Sequence, residues 1–211
     1  MPDRELFKTN VGSHMWHMDH PGSDVDTFVA YQAPSADLLL ERRHSSAHTK
    51  DATKDEQRHE IGMVVRELLK SNVNVLWGIF SPIVLSGHEV VEELRIRSVV
   101  TKQCYNSIHG LAVHNYQKYI QTGKDTRLKR CGIIVRTLLF GISLLDDGKL
   151  KFEPVSKELC TPGAVKLGLV ELDRAYAASP LPEEPSKEQV KSLEDWLFNL
   201  RIKDLMGPVS P

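Results

Sequence analysis

Hydrophobic and polar positions fall into two regimes along the chain. Residues 6–11 read as a short strand that ends at Gly12, and residues 27–31 as a second strand stopped by Pro34, so two strands around a polar loop are predicted. Between residues 41 and 58 the only apolar side chains after Glu41 are Ala47 and Ala52, which predicts a solvated loop or lid rather than a buried strand. Residues 59–70 then carry Ile61, Val64, Val65, Leu68 and Leu69 at helical spacing. Residues 75–80 read as a buried segment, strand or short helix, closed by Ser81 and Pro82.

From there the period is helical, with apolar stripes over residues 89–102, 103–121, 129–145, 165–178 and 187–206. Pro180, Pro182 and Pro185 stiffen a linker ahead of the last of these. The predicted fold class is α+β: a small mixed-sheet domain over residues 1–85, a helical domain over residues 86–211, and a site between them.

Composition narrows the function classes. With 211 residues, 41% hydrophobic and 26% charged, the chain can bury one substantial core or two small ones. A formal net charge of -1 supplies no global positive field, so any nucleic-acid binding must use a local basic patch or a small nucleotide ligand. Cys104, Cys131 and Cys160 are odd in number and never closely paired, which disfavours a disulfide framework or a cysteine-rich zinc module. No run approaches the roughly 20 apolar residues of a membrane span, and the N-terminus lacks the apolar core of a signal peptide. A cytoplasmic protein without a membrane partner is the expectation.

The chemistry concentrates in residues 12–26. Asp24 and Asp26 sit two apart at the start of the second strand, so both project to one side while Val25 points into the core. Two carboxylates in one small volume repel each other, and a hard divalent cation, Mg2+ or Mn2+, resolves the conflict. Gly12 lets backbone approach a phosphate, and Ser13 offers a hydroxyl and an N–H to its oxygens. Such parts suit nucleotidyl transfer, which demands positioning and charge neutralisation.

Gly12-Ser13 followed by Ser23-Asp24-Val25-Asp26 resembles the nucleotide-binding signature of the DNA polymerase β superfamily of nucleotidyltransferases. Together with Met15-Trp16, His59-Glu60-Ile61-Gly62 and residues 72–78, it resembles the RNA-repair-associated nucleotidyltransferases, and the similarity runs on through Lys129-Arg130-Cys131 and residues 136–141. The resemblance implies a nucleoside triphosphate substrate, an RNA acceptor and a third carboxylate, for which Asp55 is the best positional match and Glu60 the alternative. It also marks one departure, because His17 stands about where many relatives have glycine.

Further residues have two readings each. His14, His17 and His20 recur every third position but lack a fourth zinc ligand, so they read as polar loop residues beside a phosphate site. Lys129 and Arg136 are seven apart on one predicted helix; Arg136 interrupts an apolar run, and a bound triphosphate would satisfy its charge. The alternative to an enzyme is a nucleotide-binding or RNA-interaction module without turnover, the latter using Lys124, Arg127, Lys129 and Arg130.

Overall fold

The computed structural model describes residues 3–42, 46–50 and 54–206. Strand β1 (Arg4–Val11) runs into a single helical turn, α1 (Gly12–Met15), and strand β2 (Val25–Gln32) returns antiparallel to it. A short helix α2 (Ser35–Leu39) leads to β3 (Ser46–Lys50) and β4 (Lys54–Glu60). With β5 (Val84–Ser86) these make a mixed sheet in the order β3-β4-β2-β1-β5, in which β4 is parallel to β2 and the other neighbours are antiparallel.

The loop predicted over residues 41–58 is corrected by this sheet, because β3 and most of β4 fall in it, and β4 runs on to Glu60, so the helix expected from residue 59 begins at Ile61. These strands hold by means other than apolar burial. Seven register pairs from Val25–Lys54 to Tyr31–Glu60 join β4 to β2. Polar side chains then pair across strands: Lys8 Nζ lies 2.7 Å from Glu56 Oε2, and the Arg58 guanidinium sits 5.5 Å above the Tyr31 ring.

Helices α3 (Ile61–Leu69) and α4 (Val73–Phe80) cover one sheet face. The ambiguous run over residues 75–80 is helical, and Gly78 shows why it packs closely: a Cβ there would stand 2.5 Å from Phe28 Cγ. Thr9 Oγ1 donates to the Gly78 carbonyl at 2.7 Å, so β1 and α4 are bonded as well as packed. Since Asp26, Phe28 and Ala30 alternate on one side of β2, Asp26 belongs to this helix-covered face. Val25 does not point into the core as expected, and it is exposed.

Beyond the sheet come α5 (His88–Arg97), α6 (Cys104–Asn115), α7 (Leu128–Asp147), α8 (Pro162–Ala178) and α9 (Lys187–Met206). The continuous helix expected to residue 121 instead changes to a π-helical turn at Tyr116–Gln121. Helices α6, α7 and α8 pack together, with Gly141 of α7 allowing close approach of Ile108 and Leu172. The expected boundary at residue 85 falls within β5. One hydrophobic cluster runs from Phe7 and Phe28 through Trp16 and Phe140 to Leu172 and Leu193, and α9 packs back on α2, α3 and α5. No helix among the described residues is long and apolar enough to cross a membrane.

Candidate nucleotidyl-transfer site

The candidate site forms where β1 ends and β2 and β4 begin. In the register, Asp26 is opposite Val11 of β1 on one side and opposite Asp55 of β4 on the other. Parallel neighbours in register project to the same face, so the sheet places the Asp26 and Asp55 carboxylates side by side. Asp24 precedes β2 by one residue and is partly buried. Asp55 keeps 15% of its side chain exposed, and His48 Nε2 of β3 lies 2.5 Å from its Oδ1.

Gly12 closes the other wall. Its φ is +66°, a left-handed conformation that glycine adopts without penalty, and a Cβ there would lie 1.8 Å from Asp26 Oδ2. The backbone is thus pressed against the carboxylate. Ser13 follows in α1, and its carbonyl accepts from the N–H groups of Trp16 at 3.2 Å and Met18 at 3.0 Å. The turn leaves the helix through His17, whose φ of +53° puts an L side chain in the left-handed region. That is the physical reason a glycine suits this position. His17→Gly is expected to raise stability by up to about 1 kcal/mol, or a Tm gain of about 2–4 °C, because the exposed imidazole contributes little packing. A lowered Tm in thermal melts would show that the ring holds the turn.

Trp16 is the residue that ties α7 to this turn. It is 1% exposed and packs edge-on against Trp77, Phe140 and Phe152, with ring centroids 5.8, 5.7 and 5.1 Å away. The Arg136 guanidinium carbon lies 4.8 Å from the centre of its ring. Arg136 is only 8% exposed and its Nε has no hydrogen-bond partner among the described residues. Burial pulls its pKa down to about 10, and the Asp26 carboxylate acts in the opposite direction. The guanidinium therefore stays charged at neutral pH and faces the field of the carboxylate site. Lys129, seven residues earlier on α7, is exposed.

Glu60 is set apart from this group. Its alternation along β4 is with Glu56 and Arg58, opposite to Asp55. As the N-cap of α3 it accepts from Gly62 N at 2.7 Å, and its other oxygen is paired with Arg201 of α9. Glu60 is thus engaged by the α3 N-terminus and by Arg201, whereas Asp55 stands in register beside Asp26. Glu60→Gln should retain the cap but leave the largely buried Arg201 without its counter-charge. A loss of about 2–3 kcal/mol is expected, seen as a Tm lower by about 4–12 °C with nucleotide turnover unchanged. Lost turnover at unchanged Tm would return Glu60 to the catalytic set.

The donor chemistry fits Mg2+ or Mn2+, since Asp24, Asp26 and Asp55 offer hard carboxylate oxygens and the Gly12 backbone leaves no Cβ beside Asp26. Among the described residues no three His, Cys, Asp or Glu side chains are gathered into a complete metal site, so the strands supply adjacency and not a closed cage. His14, which sequence grouped with His17 and His20, has its Nδ1 3.6 Å from Asp19 Oδ2. Thiol chemistry has no place here: all three cysteines are buried and unbridged, and burial pushes the Cys104 thiol up to about 12.

Two residues at the site escaped sequence reasoning. Trp16 enters the sequence reading only through the family resemblance, although a large aromatic inside the polar stretch 12–26 is itself a signal of burial. His48 gave no signal, because its strand lacks apolar alternation.

The mixed sheet thus presents paired carboxylates next to a glycine turn. A model of the RlaP family, described as an RNA repair pathway DNA polymerase beta family, matches residues 4–172, and the chain belongs to that family. At the family level it is nucleotidyltransferase-like. Among curated proteins nothing matches the chain.

Proposed function

We propose that the protein transfers a nucleoside monophosphate from a nucleoside triphosphate to an acceptor hydroxyl or phosphate, with release of pyrophosphate. The observation that carries this reading is the register pairing of Asp26 with Asp55 beneath the Gly12 turn. Asp24, Asp26 and Asp55 would hold Mg2+ or Mn2+. When bound, the ion supplies positive charge to the phosphate oxygens and lowers the cost of an acceptor alkoxide. Gly12 brings backbone close to the phosphates, and Ser13 donates from its hydroxyl. Arg136, held over Trp16, adds a fixed cation whose charge-assisted bonds are worth about 1.5–3 kcal/mol each. Lys129, exposed at the start of α7, is assigned to an outer phosphate or to the acceptor strand.

RNA ends are the acceptor class this proposal takes from the family description. The test is a transfer assay with labelled nucleoside triphosphates and Mg2+ against pools of RNA, protein and small molecules. Label appearing in RNA, and lost in the Asp24→Asn variant, is the expected result. Label in no pool, with metal-dependent nucleotide binding intact, would support the second reading, a binding module.

A further inference from the structure

Residues 98–145 hold seven lysines and arginines and a single acidic side chain, Asp125, in a chain whose formal net charge is -1. Five of those cations, Lys118, Lys124, Arg127, Lys129 and Arg130, cluster around the start of α7. The Arg130 guanidinium carbon lies 3.9 Å and Lys118 Nζ 5.1 Å from the centre of the Tyr119 ring, and Asp125 N donates to the Tyr119 carbonyl at 3.0 Å. The π-helical turn, the loop after it and the first turn of α7 are thereby one surface. Asp125 binds Arg127 through Nε at 2.9 Å and Nη2 at 3.1 Å, and Arg130 Nε reaches it at 3.5 Å. Those bonds hold both guanidinium groups and leave each further N–H donors. Lys118, Lys124 and Lys129 are exposed and make no ion pair among the described residues. The turn Lys157–Leu159, which also packs on α7, adds Lys157 and Glu158, whose charges offset each other.

This placement opposes the ordinary electrostatics of a helix. Helix α7 runs for 20 residues, its first turn holds no acidic residue, and its N-cap Arg127 makes no side-chain capping bond. The partial positive charge at a helix start favours anions, so cations gathered there repel it and one another. Local rules are broken in this way where function requires it, and an external polyanion relieves the repulsion. Position indicates which polyanion. Gly132, one turn into α7, faces the loop that leads to Asp24: a Cβ on it would lie 3.9 Å from Met18 Cε. Further along the same helix Arg136 interacts with Asp26, about 13 Å of helix axis from Arg127. A strand whose end reacts beside the carboxylates therefore reaches the cluster within a few nucleotides.

We propose that the start of α7 and the turn before it bind the sugar–phosphate backbone of the nucleic-acid strand that carries the acceptor end. Lys118, Lys124 and Lys129 meet its phosphates, and Asp125 holds Arg127 and Arg130 in place to do the same. The inference rests on the nucleotidyl-transfer reading for the strand's role as acceptor, and adds to it the surface along which that strand lies. Phosphate contacts fix position and carry no sequence information, so the surface takes strands of any sequence.

The test is fluorescence anisotropy of a labelled oligoribonucleotide in EDTA without nucleoside triphosphate, so that neither metal nor turnover is involved. Lys118→Gln, Lys124→Gln and Lys129→Gln combined are expected to weaken binding at least about tenfold near 0.1 M salt. The slope of log affinity against log salt should become shallower by about 2, since each single-strand phosphate contact contributes about 0.7. Lys124→Gln alone should change the slope by about 0.7, which keeps the test open if the triple variant folds poorly. Lys166→Gln, Lys187→Gln and Lys203→Gln combined remove the same charge from exposed positions on α8 and α9 and should leave binding unchanged. Unchanged affinity and slope in the first triple variant would overturn the proposal, as would equal losses in both. So would binding to phosphatidylserine vesicles with none to the strand, the mark of a membrane surface. A deoxyribonucleotide strand of the same sequence should bind within about threefold, and its failure to bind would mean that sugar or base contacts, not this surface, select the strand. Strand binding that depends on these lysines in a protein that never releases pyrophosphate would remove the transfer reading and leave the surface standing. Transfer into RNA with the strand's KM unaltered in the first triple variant would do the reverse.

Discussion

Asp24→Asn and Asp26→Asn are each expected to lower magnesium-dependent turnover by on the order of 10³-fold or more. Each removes one formal charge from the site with little change of volume. A metal contributes several kcal/mol of charge stabilisation in phosphoryl chemistry, and each 1.36 kcal/mol is a factor of ten in rate. Stability should respond far less. At Asp26 two effects oppose: Asn relieves repulsion with Asp55, yet removes the counter-charge of buried Arg136. Asp24 has no such role in the fold. Steady-state kinetics and thermal melts on the two variants check this, and full turnover in either would remove that carboxylate from the metal-binding set.

Gly12→Ala is expected to damage both folding and chemistry. At a φ of +66° an L residue costs about 1–2 kcal/mol, before any collision is counted. The new Cβ would also meet the Asp26 carboxylate at 1.8 Å, so Asp26 must move. Crowding of this kind adds about 1–3 kcal/mol, and a displacement of about 1 Å at a reacting centre can cost 10²-fold in rate. Gly22→Ala supplies the control: its φ is +89°, but a Cβ there meets nothing within 4 Å. That variant should lose stability only, by about 1–2 kcal/mol, with turnover retained. Equal activity losses in both glycine variants would mean that loop strain, not contact with Asp26, controls the site.

The parts of this architecture that were legible in sequence are those written in hydrophobic period. Strands β1 and β2, the stripe of α3 and the long runs of α7, α8 and α9 each carry apolar residues at spacings that name the element. The β3–β4 hairpin was illegible because it is held by the ladder to β2 and by pairs such as Lys8–Glu56, which leave no apolar alternation. That omission also obscured why Asp55 belongs beside Asp26. Resemblance pointed to the residue, whereas only the parallel register shows the adjacency. Arg136 was noticed because a cation interrupted an apolar run; its support by Trp16, 120 positions earlier, is tertiary and has no local signature. The π-turn after α6 likewise follows residues that continue a helical pattern.

The most direct test of the central claim is pyrophosphate release from nucleoside triphosphates by the unaltered protein, measured with Mg2+, with Mn2+ and with EDTA in the presence of an RNA pool. The account predicts release that requires the divalent ion, tracks nucleotide incorporated into the acceptor one for one, and vanishes in the Asp24→Asn, Asp26→Asn double variant. Release that persists in EDTA or in the double variant, or tight nucleotide binding with no release at all, would contradict it.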